Sequence, residues 1–343
     1  MAVFNRKKTI DYMQVHLNTY GTYLHVVDQL FEIRRREAGE VVKTQLSAHK
    51  VKSFWINKGI ALSADAVQLA MRYNIDIVFL DGTGHPFSRV WHSKLGSTTL
   101  IRKAQLHASL GPAALSYTQQ WLGGKLDNQM DFVKRLASHR EQHAEYLTER
   151  LTQLQSIREK LAQLEANHLD DVAGTIRGLE GTAGRLYFEV LSYVLPPQYT
   201  FQGRSSRPAA DLFNAFLNYA YGILYSRVEK ALILAGLDPY LGFLHRDGYN
   251  FKSMVYDFIE PFRIYAEEPV FRLFSGKKIR QDHVDLLANG CSLNKEGKVL
   301  LIERFNQHFE EERIRYRGRN QSRSNIIQFE AHQMANELIN TTI

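Results

Sequence analysis

The 343-residue sequence contains one cysteine, Cys291, which excludes an internal disulfide and any cysteine-rich zinc site. It has no run of about 18 consecutive apolar residues, the length that a membrane-spanning helix needs. The N-terminal residues MAVFNRKKTIDYMQ lack the apolar core of a secretion signal, and no Walker-type GxxxxGKS/T loop occurs. We therefore expect a cytoplasmic protein with no membrane partner and no phosphate loop for nucleotide hydrolysis.

The composition is that of a globular protein, with 44% hydrophobic and 23% charged residues. Lysine and arginine number 43 against 36 aspartate and glutamate, and the net charge of +7 favours a polyanionic partner such as nucleic acid. Five arginines lie close together in a segment with few apolar residues: Arg313, Arg315, Arg317, Arg319 and Arg323. We expect this segment to be mobile and to form either a solvated face or a set of phosphate contacts.

The spacing of apolar residues predicts an α+β protein with two domains. Short β-branched or aromatic runs predict a small β-rich domain over residues 1–94, and helical periodicity predicts a larger all-α domain with a basic tail over residues 95–343. The expected strands cover residues 23–27, 41–43, 53–56, 60–63 and 75–80, with one helix at 64–73 that Ser63 caps. The expected helices of the second domain cover residues 100–120, 141–166, 172–193, 209–235, 251–258, 279–288, 297–309 and 326–338.

The segment GLDPYLGFLHRDGYNFKSMVYDFIEPFR, residues 236–263, places ionisable side chains on an apolar framework. Asp257 and Glu260 are three residues apart and share a helical face, while His245 precedes them across a turn. Pro261 disfavours the α conformation at the preceding residue, so we expect Glu260 at a helix end with its carboxylate free to point into a cleft. An imidazole with carboxylates suits Mg²⁺ or Mn²⁺. A buried ion pair of His245 with Asp257 accounts for the same residues equally well.

A second carboxylate, Glu180, lies beside a stripe of glycines at positions 178, 181 and 184. Each glycine costs about 1 kcal/mol relative to alanine in a helix interior. The stripe therefore predicts close approach by another backbone, a metal shell or a nucleic-acid strand.

Four ordered motifs resemble the Cas1 family, the CRISPR-associated endonucleases that act as integrases in CRISPR adaptation. They read RGLEGTAGRLYFE, FNAFLNYAYGIL, GLDPYLGFLH and MVYDFIEPFR, and the N-terminal stretch ALSADAVQLAMRYNIDIVFLDGTGHP is also similar. The resemblance implies a β-rich dimerisation domain, a helical catalytic domain and a homodimer that works with the small partner Cas2. It also implies metal-dependent insertion of short duplex DNA into a CRISPR array, through attack of a 3′-hydroxyl on a phosphodiester.

The resemblance implies a metal triad of Glu180, His245 and Glu260, with Asp257 as a supporting residue or an alternative ligand. Further residues near these motifs are predicted to contact nucleic acid, and they are Arg204, Arg207, Asn214, Asn218, Tyr221, Lys252 and Arg263. For Tyr221, packing in the core is an equally good interpretation. Two other functions fit the same residues: a metal-dependent phosphoesterase acting on RNA or branched DNA, and a DNA-binding scaffold without catalysis.

Overall fold

The computed structural model describes residues 13–37, 39–82, 84, 86–90, 98–206, 208–245 and 251–342. By its internal contacts the chain divides into two compact units, Met1–Leu95 and Gly96–Ile343. The described residues of the first unit form eight strands and a helix. These are β1 (Met13–Leu17), β2 (Tyr23–Val27), β3 (Leu30–Glu37), β4 (Glu40–Ser47), β5 (Val51–Ile56), β6 (Ala61–Leu62), α1 (Ala64–Arg72), β7 (Asp76–Leu80) and β8 (Pro86–Arg89).

The strands of the first unit form two four-stranded sheets, with the orders β1-β5-β7-β8 and β4-β3-β2-β6. In the first sheet β1, β5 and β7 are parallel and β8 is antiparallel, while β2, β3 and β4 form an antiparallel meander in the second. A buried apolar cluster joins residues of both sheets and of α1, including Leu24, Phe54, Ala66 and Ile77. The Ser63 hydroxyl accepts a hydrogen bond from the Ala66 amide at 3.1 Å, as expected of a helix cap.

The second unit begins with two helices where the sequence predicted one, because Gly111 and Pro112 interrupt the helical pattern. Its described helices are α2 (Thr98–Leu110), α3 (Ala113–Ala137), α4 (Ala144–Ala162), α5 (Leu169–Val194), α6 (Leu212–Leu234), α7 (Ser253–Phe258), α8 (Ile264–Ser275), α9 (Lys295–Asn306) and α10 (Arg323–Thr342). A short 3₁₀ turn, Glu260–Phe262, lies between α7 and α8. The prediction of a β-rich part followed by a helical part is confirmed.

Helix α6 lies at the centre of the second unit, where it packs against α7, α8, α9 and α10. Its sequence is apolar around most of its circumference, which is typical of a helix enclosed by others. Helix α3 packs against α4, α5 and the 3₁₀ turn at Glu260. These contacts bring α3, α5 and the chain that follows α6 to one place.

Two short hairpins interrupt the helical unit, and both correct predictions. The helix predicted at residues 279–288 is wrong, because β9 (Val284–Leu287) pairs there with β10 (Gly290–Leu293) across a two-residue turn. The arginine-rich segment is not a mobile stretch, because β11 (Arg313–Tyr316) pairs with β12 (Arg319–Ser322). Its turn residues, Arg317 and Gly318, both have positive φ, as hairpin turns of type I′ require. No helix in the described part of the chain is long and apolar enough to cross a membrane.

Candidate active site

Two carboxylates from distant parts of the sequence meet at one ammonium group. Glu180 comes from α5 and Glu260 from the 3₁₀ turn, and Lys125 of α3 lies between them. The Lys125 Nζ is 2.8 Å from Glu180 Oε1 and 2.6 Å from Glu260 Oε2. The lysine side chain is 10% exposed and that of Glu260 is 1% exposed, so the cluster is largely shielded from water.

The Glu260 carboxylate is held from its other side by Arg263. The Nε and Nη2 atoms of Arg263 lie 2.7 and 2.6 Å from Glu260 Oε1. Burial opposes ionisation of Glu260, but the charges of Arg263 and Lys125 outweigh it and lower the pKa of this carboxyl to about 2. Glu260 is therefore an anion over the whole physiological pH range. Its Oε2 is buried, and apart from the ion pair with Lys125 no group in the described residues meets hydrogen-bonding geometry toward it.

His245 and Asp257 form the second part of the site. Asp257 Oδ1 is 2.6 Å from His245 Nδ1, and the two Asp257 oxygens also accept backbone N–H bonds from Phe243, Leu244 and His245 at 2.6–3.1 Å. Because Nδ1 faces a carboxylate, it carries the proton, and Nε2 is the nitrogen available to a ligand. Burial lowers the pKa of His245, but Asp257, Glu260 and Glu180 outweigh it and the pKa is raised.

Gly242 makes the tight turn around Asp257 possible. A Cβ atom at this position would lie 2.5 Å from Ser253 Cβ, 2.6 Å from the His245 carbonyl oxygen and 2.9 Å from Asp257 Oδ2. Any larger residue must therefore push apart the loop and the carboxylate that orders it. Gly242 was not among the predicted site residues.

The chemistry of the donors fits a divalent cation. Glu180 and Glu260 already converge on one positive charge, and the carboxylate oxygen Glu260 Oε2 and the Nε2 of a neutral His245 are donors of the kind that Mg²⁺ and Mn²⁺ accept. No group of three or more His, Cys, Asp or Glu side chains converges on a single point within the described ranges. The cation that the two carboxylates share is the ammonium of Lys125.

The glycine face of α5 beside Glu180 is open. A Cβ atom at Gly178, Gly181 or Gly184 would meet nothing within 4 Å in the described chain. The close approach that the sequence predicted is therefore not made by another described segment of this protein. That a metal shell or a nucleic-acid strand lies along the stripe stays a prediction.

The asparagines of α6 hold a loop next to the site. Asn218 donates to the carbonyls of Ser205 and Ser206 at 3.1 and 2.8 Å, and the buried Asn214 donates to the carbonyl of Gly203 at 2.8 Å. Both side-chain oxygens accept from the exposed Arg204, at 2.7 Å in the case of Asn218. The two asparagines thus fix the loop that carries Arg204, and Arg207 of the same loop lies outside the described residues.

Tyr221 connects this loop to the carboxylates. Its ring lies 5.5 Å from the Arg204 guanidinium and 5.1 Å from that of Arg263, and its hydroxyl donates to Glu267 at 2.6 Å. The tyrosine is buried, so it packs in the core and also takes part in the contacts around the site.

Lys252 forms an ion pair with Glu229 at 2.7 Å. This pairing neutralises part of the positive charge that was predicted to bind phosphate.

Lys125 is the residue of this ion-pair group that sequence reasoning missed. It lies among Leu122, Leu126 and Met130 on the buried face of α3, where a lysine is costly unless it is paired. Gln129 on the same face approaches Glu267 at 3.4 Å. Lys125 and Gln129 occupy positions on the apolar face of α3 where nonpolar residues are expected. These polar residues were the signal that could have identified the helix as part of the site.

This geometry defines a helical domain in which two carboxylates share a buried lysine and a histidine is paired with an aspartate, and sequence comparison identifies its family. Residues 15–307 match the family model described as "CRISPR associated protein Cas1". A curated relative, "CRISPR-associated endonuclease Cas1 1" of Archaeoglobus fulgidus, is 31% identical over 333 residues, which cover 94% of this chain and 95% of the relative. The chain belongs to the Cas1 family.

Solved structures share the fold. A casposase bound to integration product superposes with a TM-score of 0.78 at 23% identity, covering 96% of this chain and 91% of the other. A chain of a Cas6-RT-Cas1–Cas2 complex superposes with a TM-score of 0.74 at 19% identity, covering 97% of this chain and 35% of that longer one. At these identities the structures establish the fold alone, and the family assignment supports a nuclease or integrase role.

Proposed function

We propose that the chain is a metal-dependent DNA endonuclease and integrase, which inserts short duplex DNA into a CRISPR array through attack of a 3′-hydroxyl on a phosphodiester. The observation that carries this proposal is the convergence of Glu180 and Glu260 on one cationic position. Asp257, Glu260 and Glu180 raise the pKa of His245 against the effect of burial. The family membership and the likeness to a casposase bound to integration product support the same chemistry.

Each residue of the cluster has a distinct part in this proposal. Glu180, Glu260 and the Nε2 of His245 would hold Mg²⁺ or Mn²⁺, which when bound would supply Lewis-acid activation of the phosphodiester. Asp257 orients the imidazole through Nδ1, and Arg263 holds Glu260 as an anion. The open glycine face of α5 leaves room for a nucleic-acid backbone beside Glu180.

The hairpin of β11 and β12 offers a surface for the phosphates of the DNA. Arg313 and Arg315 are exposed there and form no ion pair with a described residue, whereas Arg317 pairs with Glu330 at 2.8 Å. Arg313 and Arg315 project from the same face of β11, about 7 Å apart along the strand. Arginines at this spacing suit successive backbone phosphates.

A salt titration tests the hairpin surface. Replacing Arg313 and Arg315 with glutamine should reduce the slope of log affinity against log salt for duplex DNA by about 2, roughly one per lost phosphate contact. The matched control is Arg280→Gln, because this exposed arginine is already paired with Asp282. An unchanged slope in the double variant contradicts the assignment of this surface.

The proposed assembly is a homodimer, with residues 1–94 as the dimerisation domain, bound to a Cas2 partner. A structurally similar chain occurs in a complex with Cas2, which supports this partner. Co-purification and mass measurement with Cas2 test it, and a monomer that does not bind Cas2 would overturn it.

The catalytic proposal is tested by strand transfer of a short duplex into a plasmid that carries a CRISPR repeat. Glu180→Gln and His245→Ala should each abolish transfer while the chain stays folded. The matched control is Glu189→Gln, because Glu189 lies on the same helix and pairs with Arg185 at 2.9 Å, away from the cluster. Full transfer by either site variant refutes the proposal, and cleavage of RNA without transfer would favour the phosphoesterase.

A further inference from the structure

Lys125 is buried in the second unit at a position that only its pairing explains. The ammonium lies 2.8 Å from Glu180 and 2.6 Å from Glu260, and the rest of the side chain lies on the apolar face of α3. A buried ammonium without partners is strongly destabilising, and so are two neighbouring carboxylates without a cation between them. The three side chains therefore hold one another in place.

The two cations that contact Glu260 have different roles. Arg263 directs two nitrogens at Oε1, and its guanidinium also lies near the rings of Tyr221 and Tyr225, at 5.1 and 5.8 Å. Lys125 approaches the other oxygen, Oε2, and shares it with no hydrogen-bond donor of the described residues. Arg263 is thus fixed by several contacts. Lys125, in contrast, contacts Glu260 Oε2, the oxygen at which another cation can replace the ammonium.

We propose that Lys125 is a tethered counter-cation that a divalent metal must displace from Glu180 and Glu260. Arg263 holds Glu260 Oε1, so the ammonium and the metal need the same oxygen, Glu260 Oε2, and two cations that share it beside Glu180 repel each other. Lys125 is accordingly a positioning residue, which keeps the two carboxylates together and weakens the apparent affinity of the site for metal. This inference rests on the metal site of the proposed function.

Calorimetric titration with MnCl₂ in the absence of nucleic acid tests the competition on the full chain. Lys125→Met should bind Mn²⁺ at least tenfold more tightly than the unmodified protein and should melt at a lower temperature without metal. The matched control is Lys134→Met, because Lys134 lies on the same helix but is exposed and pairs with Asp131. This control should leave the affinity unchanged.

The outcomes separate this inference from the proposed function. If the unmodified protein and Lys125→Met bind Mn²⁺ equally, or if the variant binds more weakly, the displacement of Lys125 is refuted while the metal site stands. If neither binds Mn²⁺, the metal site of the proposed function itself fails, and the inference fails with it.

A second measurement avoids the substitution, in case Lys125→Met does not fold. Acetylation of lysines by acetic anhydride, followed by peptide mass spectrometry, reports how fast each amine reacts in the unmodified protein. Mn²⁺ should speed the acetylation of Lys125 at least several-fold, because the displaced amine leaves its buried contact with the two carboxylates and becomes accessible to the reagent. The acetylation rate of Lys134 serves as the internal reference. An equal rate for Lys125 with and without Mn²⁺ would overturn the inference.

Discussion

Replacing Gly178 and Gly181 with alanine should make the protein more stable and less active. A Cβ atom at either position meets nothing within 4 Å in the described chain, and both residues lie inside α5. Each substitution should then stabilise the folded state by about 1 kcal/mol, the difference in helix propensity between glycine and alanine. For a helical unit of this size, about 2 kcal/mol in the double variant corresponds to a rise in melting temperature of roughly 4–8 °C.

The loss of activity follows from the position of these glycines beside Glu180. If the substrate backbone approaches this face, two added methyl groups should reduce strand transfer at least tenfold. Thr152→Ala on the exposed face of α4 is the control, because it also improves helix propensity but lies on a different helix. A lower melting temperature of the double variant would refute the claim that the glycine face of α5 is open. A higher melting temperature with full activity would refute the approach of substrate along α5.

Two further substitutions test the packing around the site and an acid-sensitive cluster. Gly242→Ala should abolish strand transfer and lower the melting temperature, because the added Cβ would lie 2.9 Å from Asp257 Oδ2 and disturb the loop that carries His245; a fully active variant would contradict this. His308→Gln should flatten the acid side of the stability profile. Burial and the charge of Arg323 lower the pKa of His308 to about 4 from 6.5, so stability that is complete above pH 6.5 is lost as the pH falls toward 4. The loss amounts to about 3 kcal/mol. Urea unfolding at pH 7 and pH 4 measures it, and an identical pH dependence in the variant would disprove this origin.

The local features of the fold could be predicted from the sequence. Strand β2 has the predicted bounds, Tyr23–Val27, and Ser63 caps α1, because both depend on neighbouring residues alone. The end of α7 at Phe258, just before Glu260 and Pro261, follows from the backbone restriction that proline imposes.

The features that depend on contacts between distant segments could not be predicted. Lys125 meets Glu180 and Glu260 only because α3 packs against α5 and the turn at Glu260, and the polar residues in the apolar stripe of α3 do not reveal which partners they meet. The second hairpin alternates arginine with Ile314 and Tyr316, a strand pattern that its many charges obscured. The ranking of Glu260 above Asp257 as a metal ligand stays a prediction. The four hydrogen bonds that Asp257 accepts from residues 243–245 favour this ranking, because they already engage both of its oxygens.

The most direct test of the central claim is strand transfer by the unmodified protein before and after chelation with EDTA. We predict that transfer stops in EDTA and returns when Mg²⁺ or Mn²⁺ is restored, and that salt-dependent binding of duplex DNA persists throughout. Strand transfer that continues at full rate in EDTA would contradict a metal held by Glu180, His245 and Glu260.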